Sequence, residues 1–263
     1  MQIKQLRNVS TVFFLLLTFF TLNGCINREP PEPIKKELLI YCGITMAKPM
    51  REIANLIEQQ ENCIVKIILN GSGNLYRSIN INQQGDLFLP GSDSYIGKCL
   101  QEKLVTETVF VGFNKAALVV AKGNPLNIQG NLHSLLNPNY RTALGMDDCG
   151  SIGKETKRML TQVGIYDQAI TKALYLASDS KDLINAITDN KVDLIINWRA
   201  TAMWLKNREL MDVFLLSEDM AVPQKLILGL LSFSSQPEIA CRFMELASSP
   251  KGQRIFTNYG FGE

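Results

Sequence analysis

Short apolar segments alternate with helix-forming segments through most of this 263-residue chain. Residues 37–43 form the first apolar segment, and the segment after it carries apolar residues at helical spacing. Residues 63–69 form the second, and they precede a short helical segment that ends near residue 82. Strands separated by helices favour right-handed crossovers and a mostly parallel sheet buried on both faces. The alternation therefore predicts an α/β fold.

The same pattern predicts the remaining elements of the chain. Further strands are expected near residues 86–89, 115–121, 142–146, 173–177, 192–197 and 225–231. Further helices are expected near residues 130–136, 151–163, 179–188, 200–206 and 236–257.

The first 24 residues have the organisation of a secretory signal peptide. Lys4 and Arg7 precede an apolar run that is too short to span a membrane. The run closes at Leu22-Asn23-Gly24-Cys25, which resembles the lipobox of bacterial lipoproteins, in which the cysteine becomes the acylated first residue. We therefore expect Cys25 to carry a lipid and residues 25–36, which are charged and rich in proline, to form a tether. A plain signal peptide with a chance cysteine is the alternative.

The charge balance excludes one large class of partner. The formal charge of +2 includes Lys4 and Arg7 of the signal peptide, so the remaining chain has equal numbers of basic and acidic side chains. A neutral chain is an unlikely ligand for nucleic acid. Five cysteines remain after Cys25, their spacing matches no metal motif, and we expect mostly buried thiols with at most a disulfide that the sequence does not assign.

Small hydroxyl residues recur where predicted strands give way to helices. Thr45 follows the first strand, and Gly71-Ser72-Gly73 follows the second. The loops that begin at Asp147 and Ser178 carry serines at the same point, and a fifth loop contains Trp198. Ligands of parallel sheets gather at the carboxyl ends of strands, and helix starts provide unpaired amides for anions. Each loop taken alone is also consistent with an ordinary helix cap.

Motifs at both ends of the chain that follows the tether indicate a family. The C-terminal segment, residues 243–261, has a helix, the step Ser249-Pro250, a second helix and a closing Tyr-Gly-Phe. The N-terminal part has a strand, a hydroxyl-bearing loop and a helix, then Gly85-Asp86-Leu87-Phe88. These motifs resemble the periplasmic molybdate-binding protein family, and the resemblance extends from about Leu38 to Gly262.

This resemblance implies a fold, a role and a set of binding residues. It implies a two-lobed periplasmic-binding-protein type II fold, with lobe 1 at residues 37–113 and 225–263 and lobe 2 at residues 114–224. It also implies a monomeric, lipid-anchored periplasmic or cell-surface protein that delivers a molybdate- or tungstate-like oxyanion to the permease of an ABC importer. No cofactor, metal ion or catalytic residue is expected. The implied binding residues are Thr45, Gly71, Ser72, Gly73, Ile152, Ser180 and Trp198.

Two departures from the family leave other ligands and roles open. Trp198 stands where the family has a tyrosine, and the run from Pro90 to Ser94 is not expected after the third strand. Sulfate or another sulfur or phosphorus oxyanion is therefore an alternative, as is a sensor or interaction lipoprotein. An enzyme is disfavoured, because the single histidine, His133, lies between leucines in a helical segment and no nucleophile motif is present.

Overall fold

The computed structural model describes residues 35–262, which contain two five-stranded sheets. The first sheet comprises β1 (Glu37–Gly43), β2 (Ile64–Asn70), β3 (Leu87–Leu89), β4 (Val105–Asn114) and β10 (Gln224–Leu231), in the order β2-β1-β3-β10-β4. The second comprises β5 (Ala116–Ala121), β6 (Thr142–Gly145), β7 (Tyr175–Ala177), β8 (Leu194–Trp198) and β9 (Met211–Leu215), in the order β7-β6-β8-β5-β9. The predicted signal peptide, Cys25 and most of the tether lie outside the described residues.

Nine α-helices connect or cover these strands in the described part of the chain. They are α1 (Ala47–Glu61), α2 (Ser72–Asn82), α3 (Asp93–Gln101), α4 (Ser151–Gln162), α5 (Tyr166–Lys172), α6 (Ser180–Thr188), α7 (Arg199–Met203), α8 (Pro237–Ser248) and α9 (Pro250–Asn258). Two 3₁₀ turns lie at Ile44–Met46 and Leu132–Leu136. None of the described helices combines the length and the apolar character that crossing a membrane requires.

Each sheet is mixed, and both follow the same plan. In the first sheet β1 pairs in parallel with β2 and β3, whereas β10 pairs antiparallel with β3 and β4. In the second sheet β6 pairs in parallel with β7 and β8, whereas β5 pairs antiparallel with β8 and β9. The predicted α/β class is confirmed, and the expected parallel pairing holds for three strands of each sheet. The antiparallel strands β4, β5, β9 and β10 adjoin the two connections between the sheets.

The first sheet is buried on both faces because its side chains alternate. Leu38, Ile40 and Cys42 of β1 pack with α1, α8 and α9 in one hydrophobic cluster. Tyr41, from the same strand, packs on the other face with residues of α2 and α3. Successive side chains of a strand point to opposite faces, so one apolar run serves both layers. We refer to the first sheet with these five helices as the first lobe.

The second sheet has its own core, and we refer to it with its helices as the second lobe. Its hydrophobic cluster includes buried residues of β5, β6 and β8 together with Met159 and Leu160 of α4 and Leu183 of α6. The chain passes between the lobes at Lys115, which separates β4 from β5, and at residues 216–223, which separate β9 from β10. Helix α7 crosses the division, because Ala200 packs in the cluster of the first lobe.

A buried carboxylate lies just before β3 in the first lobe. Asp86 is 1% exposed, and its Oδ2 accepts a hydrogen bond from the amide of Leu39 at 2.7 Å. Its Oδ1 accepts from the hydroxyl of Ser234 at 2.7 Å and from the amides of Ser235 and Gln236 at 2.9 and 3.0 Å. Burial of a charge is tolerated only when such donors replace its water. Asp86 therefore fixes the start of α8 against β1 and β3.

Some elements differ from those that the sequence pattern predicted. Strands β4 and β9 and helices α3 and α5 were not predicted. The helical pattern alone gave one helix over residues 236–257, whereas the structure has the two helices that the resemblance implied. They separate because Pro250 lacks an amide hydrogen and Ser249 caps the second helix by accepting from the amide of Gly252. All five cysteines of the described residues are free thiols, and Cys42, Cys63 and Cys99 are buried.

Candidate functional site

A small polar cavity lies where the helix starts of the two lobes meet. Its volume is about 10 Å³. The first lobe contributes the residues that follow β1, β2 and β3, and the second lobe contributes those that follow β6 and β7. The lining residues are Gly43, Ile44, Thr45, Asn70, Gly71, Ser72, Gly91, Gly150, Ser151, Ile152, Asp179 and Ser180. All of them therefore lie at the carboxyl ends of parallel strands.

Four hydroxyl groups line the cavity, two from each lobe. Thr45 and Ser72 are 3% and 2% exposed, and Ser151 and Ser180 are 5% and 3% exposed. Among the described residues, Ser72 is the one of the four whose hydroxyl has a partner: its Oγ accepts from the amide of Gly91 at 2.9 Å. That bond occupies a lone pair and leaves the Ser72 proton available for a bound group.

Backbone amides add to these hydroxyls. Helices α2 and α4 begin after Gly71 and Gly150, and neither start has a side-chain cap. The amides of Ser72, Ser151 and Ile152 donate to no acceptor among residues 35–262. Unpaired amides at the positive end of a helix dipole are favourable partners for an anion. The sequence produces this arrangement because glycine before serine leaves the helix start open.

Helix α6 begins differently, with an acidic cap. Oδ1 of Asp179 accepts from the amides of Lys181 and Asp182 at 2.8 and 2.9 Å. Asp179 is the one charged side chain among the described residues that line the cavity. The amide of Ser180 at this helix start has no acceptor among the described residues. The cavity therefore combines neutral donors with one carboxylate and no cation from the described chain.

The lobes touch directly beside the cavity. The amides of Gly73 and Asn74 in α2 donate to the carbonyl oxygen of Cys149 at 2.9 and 3.2 Å. Nη1 of Arg77 donates to the carbonyl oxygen of Asp148 at 3.0 Å. Nζ of Lys154 lies 5.3 Å from the ring centre of Tyr95 across the same junction. These contacts make the structure a closed arrangement of the two lobes.

Burial raises the pKa of the Cys149 thiol at this junction, so the group stays protonated at neutral pH.

The run from Pro90 to Ser94 has a place in this site. Gly91 lines the cavity, and a Cβ atom there would overlap Oγ of Ser151 from the second lobe. Its amide donates to Ser72, and its carbonyl oxygen accepts from Nδ2 of the fully buried Asn114 at 3.3 Å. Gly91 therefore links a cavity hydroxyl to the end of β4, next to the connection between the lobes.

Five of the seven residues predicted for the site line the cavity. They are Thr45, Gly71, Ser72, Ile152 and Ser180. Gly73 lies beside it, with its amide bound to Cys149 of the second lobe. Trp198 is 1% exposed and packs in the core of the second lobe, with Nε1 near Gly91, but does not line the cavity. The Trp198 indole packs into that core, so it does not have the exposed surface that a residue lining the cavity needs.

Seven lining residues were not among those predicted for the site. They are Gly43, Ile44, Asn70, Gly91, Gly150, Ser151 and Asp179. Ser151 carried a usable signal, since Gly150-Ser151 repeats the pattern of Gly71-Ser72. Asp179 precedes Ser180 as a recognisable cap, but its place beside an anion-type cavity depends on how the lobes meet.

Charged residues of the neighbouring loops have other partners. Nη2 of Arg199 donates to the carbonyl oxygens of Gly260 and Gly262 at 3.4 and 3.1 Å. Asp147 pairs with Nζ of Lys157 at 2.6 Å, and this hydrogen bond raises the pKa of Lys157. His133 is exposed on its 3₁₀ turn. Within residues 35–262, no three or more ligating side chains are grouped to hold a metal ion.

Comparisons with known proteins give the family. The model of the bacterial extracellular solute-binding protein family matches residues 38–262, so this chain belongs to that family. A Haemophilus influenzae protein that is named as a binding protein, without a stated ligand, is 26% identical over 226 residues, which are 86% of this chain and 90% of the relative.

Solved structures agree with the fold. The periplasmic molybdate-binding protein of Azotobacter vinelandii is similar with a TM-score of 0.76 at 16% identity, covering 86% of this chain and 99% of that one. The sulfate-binding protein SubI of Mycobacterium tuberculosis is similar with a TM-score of 0.76 at 12% identity, covering 86% of each chain. The predicted two-lobed type II fold is therefore confirmed. These proteins are named for different ligands, so the fold alone does not define what this chain binds.

Proposed function

We propose that this chain is a lipid-anchored, extracytoplasmic solute-binding protein, without enzymatic activity, that captures a small tetrahedral oxyanion between its lobes for an ABC importer. The observation that carries the proposal is the cavity: four buried hydroxyls and several unpaired amides from both lobes face one small space. In the closed arrangement the cavity is too small for an organic ligand of many atoms. The sequence resemblance favours molybdate or tungstate within this class.

The donor set supports an anion for energetic reasons. A hydrogen bond to a charged group contributes about 1.5–3 kcal/mol, roughly twice the contribution of a neutral one. Neutral donors also avoid the desolvation cost of burying a cationic side chain beside the ligand. Donors from two lobes favour the closed state, because a ligand bound to one lobe forms the remaining hydrogen bonds only when the other lobe closes over it. We propose that residues 37–113 with 225–263, and residues 114–224, move as the two units.

Calorimetry tests the binding role. The purified chain is titrated with molybdate, tungstate, sulfate and phosphate, and one site is expected for at least one of them. Thr45→Val and Ser151→Ala each remove a hydroxyl that has no partner among the described residues, so each is expected to weaken binding by about 10- to 150-fold. Ser78→Ala, on the outer part of α2, serves as the matched control and leaves affinity unchanged.

Ser72→Ala separates binding from folding less cleanly. The variant loses the acceptor of the Gly91 amide as well as a ligand contact. A buried amide without a partner costs about 1–3 kcal/mol, so a fall in the thermal stability of the ligand-free chain is expected here. If no anion of the panel binds, or if Thr45→Val and Ser151→Ala both bind as the original chain does, the proposed role is wrong.

The lipid anchor rests on Leu22-Asn23-Gly24-Cys25 alone. Cells that express the chain with labelled palmitate should incorporate the label, and Cys25→Ser should abolish the incorporation. Label that persists in Cys25→Ser would show that the anchor is not at this residue.

A further inference from the structure

We propose that Asp179 makes the cavity select an oxyanion that keeps a proton at neutral pH, such as hydrogen phosphate or hydrogen arsenate, over fully deprotonated sulfate or molybdate. This inference rests on the proposed oxyanion-binding function and specifies the ligand of the same site, and it replaces the molybdate or tungstate that the sequence resemblance favours.

Asp179 is a half-buried acid at the cavity. It lines the cavity next to Ser180, and no lysine or arginine of the described chain shares the lining. Oδ1 is engaged by the amides of Lys181 and Asp182, which fixes the carboxylate at the start of α6. Oδ2 has no partner among the described residues. Asp179 therefore lines the cavity with a carboxylate that keeps one acceptor oxygen without a partner among the described residues.

An ionised carboxylate beside a bound dianion has a direct consequence. Two negative groups that share a site repel each other unless a proton lies between them, as in paired carboxylates that retain one proton. Hydrogen phosphate and hydrogen arsenate carry an O–H group at neutral pH, which can donate to the carboxylate. Sulfate and molybdate carry no proton at that pH, so they would face Asp179 with two acceptors and no donor.

The other lining groups do not make this distinction. A serine or threonine hydroxyl can either donate or accept, so it satisfies a protonated or an unprotonated oxygen equally. Backbone amides donate to any oxyanion. An ionised carboxylate only accepts, and it is the one lining side chain that reads whether the ligand has a proton. The same carboxylate occupies two amides at the start of α6, which reduces the number of donors left for a dianion.

The test compares four anions at one pH. Calorimetry at pH 7.5 with sodium phosphate, arsenate, sulfate and molybdate should give phosphate and arsenate the tighter binding. The expected margin is about 10- to 1,000-fold, the range that corresponds to a pKa shift of about one to three units from a neighbouring charge. Asp179→Asn should reduce the preference to less than about 10-fold by improving sulfate and molybdate binding. Asparagine caps a helix as well as aspartate does, so the fold of α6 is retained.

Two further variants make the result specific. Asp179→Ser also retains a capping oxygen and should behave like Asp179→Asn. Asp182→Asn removes a charge from the same helix at a residue that does not line the cavity, and it should keep the original preference. Binding of sulfate or molybdate as tight as that of phosphate in the original chain would overturn the inference and leave the oxyanion-binding function intact. An unchanged preference in Asp179→Asn would do the same, whereas absence of all binding would overturn both.

Discussion

The two sides of the cavity contribute in different ways. The first lobe meets the junction with backbone that lacks side chains, at Gly73 and Gly91. The second lobe meets it with protruding groups, namely the carbonyl oxygens of Asp148 and Cys149 and the hydroxyl of Ser151. The two lobes therefore approach closely because the glycines of the first lobe have no Cβ atoms, and the second lobe places hydrogen-bonding atoms against them.

The helix starts show the same asymmetry. In α2 two amides bind the carbonyl of Cys149 from the opposite lobe, so this helix start holds the lobes together as well as facing the cavity. In α6 the amides of Lys181 and Asp182 donate to the carboxylate of Asp179, the residue just before the helix, so this helix start is capped within its own lobe. Both begin with a serine that lines the cavity. A shared sequence pattern thus supports closure in one lobe and ligand discrimination in the other.

Gly73→Ala should have the largest effect on this junction. A Cβ atom at Gly73 would overlap the carbonyl oxygen of Asp148 and lie 3.0 Å from that of Cys149, and backbone atoms yield little. Overpacking costs about 1–3 kcal/mol, which corresponds to about 5- to 150-fold weaker binding if closure must precede tight binding. The thermal stability of the ligand-free chain should not fall, because alanine is a better helix former than glycine.

Calorimetry measures the affinity of Gly73→Ala, and small-angle scattering with the bound anion measures closure. Gly97→Ala in α3 is the matched control, since no atom lies within 4 Å of a Cβ at that position. Unchanged affinity in Gly73→Ala would mean that the ligand is bound without this contact between the lobes.

Gly91→Ala should weaken binding less, by about 5-fold, which is the lower end of the cost of overpacking. Its Cβ would meet the hydroxyl of Ser151, a side-chain atom that can rotate, with Cβ of Ser151 at 3.3 Å. Ser151→Gly removes both obstructing atoms. A double-mutant cycle should therefore show that Gly91→Ala costs less affinity in the Ser151→Gly background than in the original chain. Equal costs in both backgrounds would contradict a steric contact between these residues.

The alternation of strands and helices was sufficient to predict the α/β class and the strands at the sheet centres. Strands β4 and β9 were missed because polar and half-buried residues interrupt their apolar pattern. Their position at a sheet edge is not the reason, since β2 and β7 are also edge strands and were predicted. Their antiparallel pairing with β10 and β5 also depends on contacts distant in sequence.

The residues of the site also fall into those that local sequence predicts and those that depend on contacts distant in sequence. The resemblance implied Thr45 and Ser72 as binding hydroxyls and Ser180 as a backbone-amide contact, and each of these matches rests on a short local motif of the chain. Gly91 and Asp179 were not predicted, because their roles arise from what the opposite lobe places against them. Gly73 was predicted as a binding residue, and the structure places its amide on the carbonyl oxygen of Cys149 in the opposite lobe.

Arg77→Gln should have the smallest effect of the three changes. The Arg77 guanidinium reaches across the junction to the carbonyl oxygen of Asp148 and lies 3.9 Å from Sγ of Cys149, but the side chain is exposed. A hydrogen bond that water can replace contributes about 0.5 kcal/mol, so affinity should fall by only about two-fold. Closure should still occur, because the amides of Gly73 and Asn74 remain bound to Cys149. Calorimetry measures the affinity, and Arg254→Gln, a change of an exposed residue on α9, is the control. A loss of affinity above ten-fold in Arg77→Gln alone would show that the Arg77 side chain, and not the backbone of α2, holds the lobes together.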